Sequence, residues 1–198
     1  MAIILASKSP RRQALMGMLG VDFSVMTEDI DETMSPDRTP DEEVARLSRE
    51  KAQAVCQAAS EQDVIIAADT VVVLDGQVMG KPKDRADALR MLRALSGRTH
   101  QVLTGMTVRR GAQALTRVVT TEISFRDLTD REIMTYIETG EPLDKAGAYG
   151  IQEGAALFVS RLEGDFYNVM GLPVCTLALM LRQLGVPVLG ETAVVPER

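Results

Sequence analysis

Apolar positions fall into two kinds of run along the chain. Short unbroken runs read as strands buried on both faces, and runs spaced by three and four read as helices with one apolar stripe. Ile3-Ile4-Leu5-Ala6 is of the first kind, and Ala14-Leu15-Met16-Gly17-Met18-Leu19 reads as a helix ending at Gly20. Phe23-Ser24-Val25-Met26 predicts a second strand, and Val64-Ile65-Ile66-Ala67-Ala68 a buried one that delivers Asp69-Thr70 at its end. Val71 to Leu74, Asp75-Gly76 and Gln77-Val78-Met79 form a hairpin with a favoured two-residue turn. Residues 86–95 form an amphipathic helix, and His100 to Val108 and Leu115 to Phe125 read as long strands around Arg110-Gly111. Residues 156–160 predict a strand, and the chain turns at 167–173 into a last helix to Leu184.

Capping chemistry marks the helix starts. Thr39-Pro40-Asp41-Glu42 and Thr129-Asp130-Arg131-Glu132 are capping boxes, opening helices to about Ser60 and Thr139. Ser9-Pro10 supplies an N-cap and a proline at the first helical position. Arg11 and Arg12 then put two positive charges where the helix dipole is already positive, at about 0.3–1 kcal/mol each if exposed. With unpaired N–H groups and the turn serines Ser7 and Ser9, they suggest an anion site, for phosphate above all. A surface helix with arginines reaching nearby acids is the plain alternative.

Composition narrows the chemistry. The 198 residues suit one α/β domain or a closely joined two-lobed one, with a loosely attached tail from about 186. Twenty-two basic and 28 acidic residues give a net charge of −6, which disfavours nonspecific nucleic-acid binding. One histidine, His100, excludes multi-histidine metal sites and reads as structural. Acid–base work therefore falls to carboxylates or lysines. Cys56 and Cys175 lack metal-ligand spacing and read as buried thiols. Neither a signal peptide nor a membrane span is evident, so a cytoplasmic location is expected.

Four features hold candidate chemistry. Glu28, Asp29, Asp31 and Glu32 read as a solvated acidic loop or as oxygen ligands for a divalent cation. Lys51 sits on the apolar stripe of its helix, four residues from Leu47 and Val55, and either snorkels to solvent or points into a cleft. Asp69, an acid at the end of a buried strand, needs a partner or a metal. Gly80-Lys81-Pro82 presents a lysine on a turn. Residues 144–154 then place three glycines within eight positions, alternating with polar side chains that include Gln152. Such a loop allows close backbone approach, and its glutamine both donates and accepts hydrogen bonds.

In this order the segments resemble the Maf family of nucleoside triphosphate pyrophosphatases, from Leu5 to Leu184. The resemblance rests on Ala6-Ser7-Lys8-Ser9-Pro10-Arg11-Arg12, the acidic run through Glu32, Glu50-Lys51-Ala52, Ala68-Asp69-Thr70-Val71-Val72, Gly80-Lys81-Pro82, Asp144 to Gln152 and Asn168 to Pro173. The form Gly147-Ala148-Tyr149-Gly150-Ile151-Gln152 looks like the subfamily acting on dTTP and UTP. Asp165-Phe166 departs from the family's usual serine next to glycine. The resemblance implies an α/β fold with an elongated, mixed, twisted sheet flanked by helices, in two lobes with a central cleft. It implies pyrophosphate release from a pyrimidine nucleoside triphosphate, assisted by Mg2+ or Mn2+. Asp69 becomes the proton acceptor, with Lys81 beside it in catalysis. Glu32 and Asp69 become metal ligands. Arg11, Thr70 and Gln152 are tied to substrate choice, while Ser7, Ser9, Arg12 and Lys51 line the substrate site.

Two other readings compete. A P-loop kinase lacks its Gly-x-x-x-x-Gly-Lys-Ser/Thr motif here. A non-catalytic nucleotide-binding regulator of cell division differs only in making no product. The oligomeric state is left open, a homodimer being compatible with the sequence.

Overall fold

The computed structural model describes residues 1–188. Its elements are β1 (Ile3–Leu5), α1 (Pro10–Gly17), β2 (Ser24–Val25), α2 (Pro40–Cys56), β3 (Val64–Leu74), β4 (Gln77–Met79), α3 (Arg85–Leu95), β5 (Thr99–Arg110), β6 (Gln113–Phe125), α4 (Asp130–Glu138), β7 (Val159–Glu163), α5 (Phe166–Val169) and α6 (Val174–Gln183). Three single-turn 3-10 segments, Glu141–Asp144, Ala146–Ala148 and Gly154–Phe158, lie between α4 and β7. The sheet has seven strands in the order β2-β1-β3-β5-β6-β7, with β4 paired to β3. It is mixed: β1 runs parallel to β2 and β3, while β3–β4 and β6–β7 are antiparallel.

The chain divides into two compact units. The first comprises Met1–Asp69, Thr104–Val118 and the segment from Gly171 onward, and the second Thr70–Leu103 and Val119–Met170. Strands β3, β5 and β6 each contribute residues to both.

In the first unit, Ile4 and Ala6 and their neighbours Ile65 and Ala67 form one face of the sheet. They pack against Ala52 and Val55 of α2. Ile3, Leu5, Val64 and Ile66 are buried as well, so both faces are covered. The α2 capping box forms as expected, with the Thr39 hydroxyl accepting from the Glu42 N–H and the Glu42 carboxylate accepting from the Thr39 N–H. Gly105 of β5 lies against α2 so closely that a Cβ there would sit 2.2 Å from the Val44 carbonyl oxygen.

The second unit is built around rings. His100, Phe125, Tyr149, Phe158 and Tyr136 meet edge to face with centroids 4.9–5.9 Å apart. The second capping box, Thr129 with Glu132, opens α4 as expected.

Several boundaries differ from the sequence reading. Asp69 does not end a strand: β3 runs unbroken from Val64 to Leu74, with Asp69 and Thr70 half-buried between two apolar runs. The polar pair resembles a break, but Thr favours extended backbone and the acid is paired, so the strand continues. Gly154–Phe158 is a 3-10 turn, and the strand comes later, at Val159–Glu163. The helix α2 stops at Cys56, and the last helical region is two helices. Cys56 is half-buried and Cys175 exposed, correcting the expectation of two buried thiols. Val186 and Val188 are buried; the remainder of the expected loose tail, residues 189–198, lies outside the described residues.

Candidate active site

The N-terminus of α1 is organised by serines. Ser9 caps the helix by accepting from the Arg12 N–H at 3.5 Å. The buried Ser7 Oγ accepts from the Ser9 N–H at 3.2 Å and from Arg12 Nη1 at 3.3 Å. Arg12 Nε donates to the Gly171 carbonyl at 2.8 Å. No acid occupies the first turn. Burial lowers the Arg12 pKa; the Asp69 carboxylate raises it, Arg11 lowers it further, and Glu32 raises it. Two acids from other segments therefore offset the electrostatic cost of paired arginines at a positive helix end.

Lys51 joins those acids. Odd-numbered positions of β3 share the face that packs on α2, so Asp69 follows Ile65 and Ala67 toward that helix. Lys51 is on the same helix, and its Nζ lies 2.7 Å from Asp69 Oδ1 and 2.7 Å from Glu32 Oε1. These contacts bound the separation of the two carboxylate oxygens at 5.4 Å, twice 2.7 Å. The choice between snorkelling and pointing inward resolves toward the acids.

Glu32 is 61% exposed, yet its segment is strapped down. Arg46 Nη2 donates to the Thr33 carbonyl at 2.9 Å, and the same guanidinium holds Glu43 and Glu50 at 2.6 and 2.8 Å. Buried Glu43 is kept anionic, its pKa lowered chiefly by Arg46. The sequence reading passed over Glu43 and Arg46, although their spacing at three along a capped helix was visible. It likewise missed the Gly171 carbonyl, whose tie to Arg12 spans 159 positions.

A divalent cation needs oxygen ligands. Among the described residues no group of three or more His, Cys, Asp or Glu side chains is arranged to hold a metal ion. Glu32 and Asp69 already share one positive charge, and Mg2+ typically takes one or two carboxylates plus substrate phosphates. Glu32 and Asp69 are carboxylates of the kind such an ion would take, and they are the candidate residues to hold it.

The first unit thus brings together Ser7, Ser9, Arg12, Glu32, Lys51 and Asp69, with Arg11 in the same helical turn as Arg12. The second unit holds Thr70, Lys81 and Gln152. Thr70 follows Asp69 on β3 and is half-buried. Lys81 is exposed, on the turn after β4. That turn is tied to the glycine-rich loop, because the Gly80 carbonyl accepts from the Gly147 N–H at 3.0 Å. Gly147 has φ +68°, and a Cβ there would press on Val72 at 2.9–3.0 Å. The loop is pinned further: the Tyr136 hydroxyl accepts from the Gly150 N–H at 3.0 Å, and Glu141 Oε2 accepts from the Gly154 N–H at 3.2 Å. Tyr149 Oη pairs with His100 Nε2 at 2.8 Å, and both residues are buried. Gln152 stays exposed on this scaffold. Asp165, the departure from the expected pattern, caps α5 by accepting from the Tyr167 and Asn168 N–H groups.

An ammonium between two acids, beside a serine-lined helix N-terminus bearing a half-buried guanidinium, makes a polyanion- and metal-compatible centre on a mixed α/β sheet. The fold has a solved counterpart in a HAM1 protein from Coxiella burnetii. It aligns over 92% of this chain and all of that one at a TM-score of 0.51, with 17% identity. Residues 2–184 match the Maf-like protein family, and the chain belongs to it. A relative from Anaeromyxobacter dehalogenans, named dTTP/UTP pyrophosphatase, is 51% identical over 189 residues, covering 93% of this chain and 95% of its own. Proteins with the same name from Geotalea uraniireducens and Bacillus pumilus are 48% and 45% identical, covering 92% and 93% of this chain and 95% and 97% of theirs.

Proposed function

We propose that this protein is a nucleoside triphosphate pyrophosphatase that converts dTTP and UTP to the monophosphate and pyrophosphate. The observation that carries the reading is Lys51 held between Glu32 and Asp69. Relatives 45–51% identical under one enzymatic name support the substrate class.

In this reading water attacks the α-phosphorus. The new P–O bond forms as the bond from α-phosphorus to the bridging oxygen breaks, and pyrophosphate leaves with that oxygen. The water proton passes to the Asp69 carboxylate, whose Oδ1 Lys51 holds in place. Mg2+ or Mn2+ bound by Glu32 and Asp69 would neutralise charge on the phosphates. Arg12 is pre-set by Gly171 and Ser7, so it meets the triphosphate without first losing side-chain freedom. Ser7 and Ser9 shape the helix end that receives phosphate, and Lys51 and Lys81 add positive charge. Gln152 reads the uracil or thymine edge, and Arg11 and Thr70 contribute to nucleotide choice.

The enzyme would work in the cytoplasm on a small-molecule substrate, with neither nucleic acid nor membrane as partner and with a homodimer as its proposed assembly. Among the described residues no helix is long and apolar enough to cross a membrane.

The test is incubation with each common nucleoside triphosphate and Mg2+ or Mn2+, followed by separation of products. Monophosphate and pyrophosphate from dTTP and UTP are expected. Asp69→Asn should cut turnover at least ~100-fold while nucleotide binding is largely kept. Binding without product in the native protein would overturn the enzymatic reading in favour of a regulator.

A further inference from the structure

Lys145 is 6% exposed, and a buried ammonium is costly unless every proton finds an acceptor. Three oxygens surround it. Nζ lies 2.7 Å from the Glu141 carbonyl, 2.9 Å from Asp144 Oδ1 and 3.1 Å from Glu153 Oε2. Two of its three N–H donors are hydrogen bonded, to the Glu141 carbonyl and to Asp144, and Glu153 completes the shell as an ion pair. Its charge is met within the loop, so it is placed to hold the loop together.

The tie closes across a specific stretch. Glu141 precedes the glycine-rich loop, Asp144 opens it, and Glu153 ends its turn. The lysine stem passes under Gly150 so closely that a Cβ there would lie 2.8 Å from Lys145 Cε and 2.9 Å from Glu153 Oε2. Gln152 is the residue before the tether at Glu153 and is itself exposed. The two other anchors of the turn, Tyr136 on Gly150 and Glu141 on Gly154, hold its backbone. The Lys145–Glu153 pair is the ionic anchor, next to the glutamine.

We propose that Lys145 is a positioning residue for nucleotide choice: it fixes the Gly150–Glu153 turn and through it the place of Gln152. The inference rests on the reading of Gln152 given above. It differs from a role in folding alone, because displacing the turn changes which base is accepted, whereas lost stability scales down every substrate alike.

The substitution Lys145→Met keeps the buried stem and removes the amine. The acids it releases have side chains 73% and 41% exposed, so neither is stranded in the interior. Glu153→Ala cuts the same tether from its exposed end and serves if the first variant does not fold. The experiment measures kcat/KM for dTTP, UTP, CTP and ATP with Mg2+ in the native protein, both variants, Gln152→Ala, and the double variant Lys145→Met/Gln152→Ala. A fall of about tenfold in preference for dTTP over CTP is expected for either tether variant, with most of the change in KM. The double variant should be no less selective than Gln152→Ala, since one route is cut twice. Equal losses on all four nucleotides, with preference intact, would overturn the proposal. A native protein without turnover, or a Gln152→Ala enzyme with unaltered preference, would instead refute the underlying reading.

Discussion

His100 offers a sharp test because one number follows from its surroundings. The ring is 2% exposed among Phe125 and Tyr149, and burial alone pushes its pKa down to about 4 from 6.5. Above pH 6.5 the ring is neutral folded or unfolded and contributes no pH dependence. Below 6.5 the unfolded chain binds a proton that the native state refuses until pH falls to about 4. Stability is therefore lost as pH falls through this window, at up to about 1.4 kcal/mol per pH unit. Between pH 7 and pH 4.5 the loss from this ring is about 2 kcal/mol. Denaturant unfolding of the native protein and of His100→Gln at both pH values isolates it, since the amide still pairs with Tyr149 but does not titrate. The native protein should lose about 2 kcal/mol more than the variant on acidification. Equal losses would refute the claim that this buried ring sets acid sensitivity. Because Tyr149 belongs to the loop bearing Gln152, nucleotide preference should survive at neutral pH in the variant if its amide holds that hydroxyl.

Two further outcomes follow from packing and charge. Gly105→Ala would drive a methyl group against the α2 backbone at Val44 and Ala45, and should cost about 1–3 kcal/mol of unfolding free energy, or abolish soluble expression; native-like denaturation would contradict that contact. Lys51→Met removes the cation between Glu32 and Asp69, and should lower kcat/KM for dTTP about 100-fold in steady-state assays; a change within twofold would remove Lys51 from the site.

The legible parts were those governed by neighbours in sequence. Both capping boxes, the Ser9 cap and the Asp75-Gly76 hairpin turn formed where their residues stand. The candidate residues were legible by type, and the sequence left open what each would meet. Alternation along β3 turns Asp69 toward α2, but only the pairing of sheet and helix shows that Lys51 waits there. Arg11 and Arg12 read as misplaced charge because the compensating acids lie on other elements. The Thr33 strap to Arg46 joins a loop to a helix 13 positions away, and no local pattern announces it. Where local polarity misled, at Asp69-Thr70, sheet pairing overrode it and kept one strand through the polar pair.

The proposed chemistry has one atom-level signature. Hydrolysis of dTTP in water enriched in 18O, with products weighed by mass spectrometry, reports which phosphorus the water attacks. Attack at the α-phosphorus, with Asp69 taking the proton, places the label in the monophosphate and leaves pyrophosphate unlabelled. Label in pyrophosphate, or release of inorganic phosphate as the first product, would contradict the account.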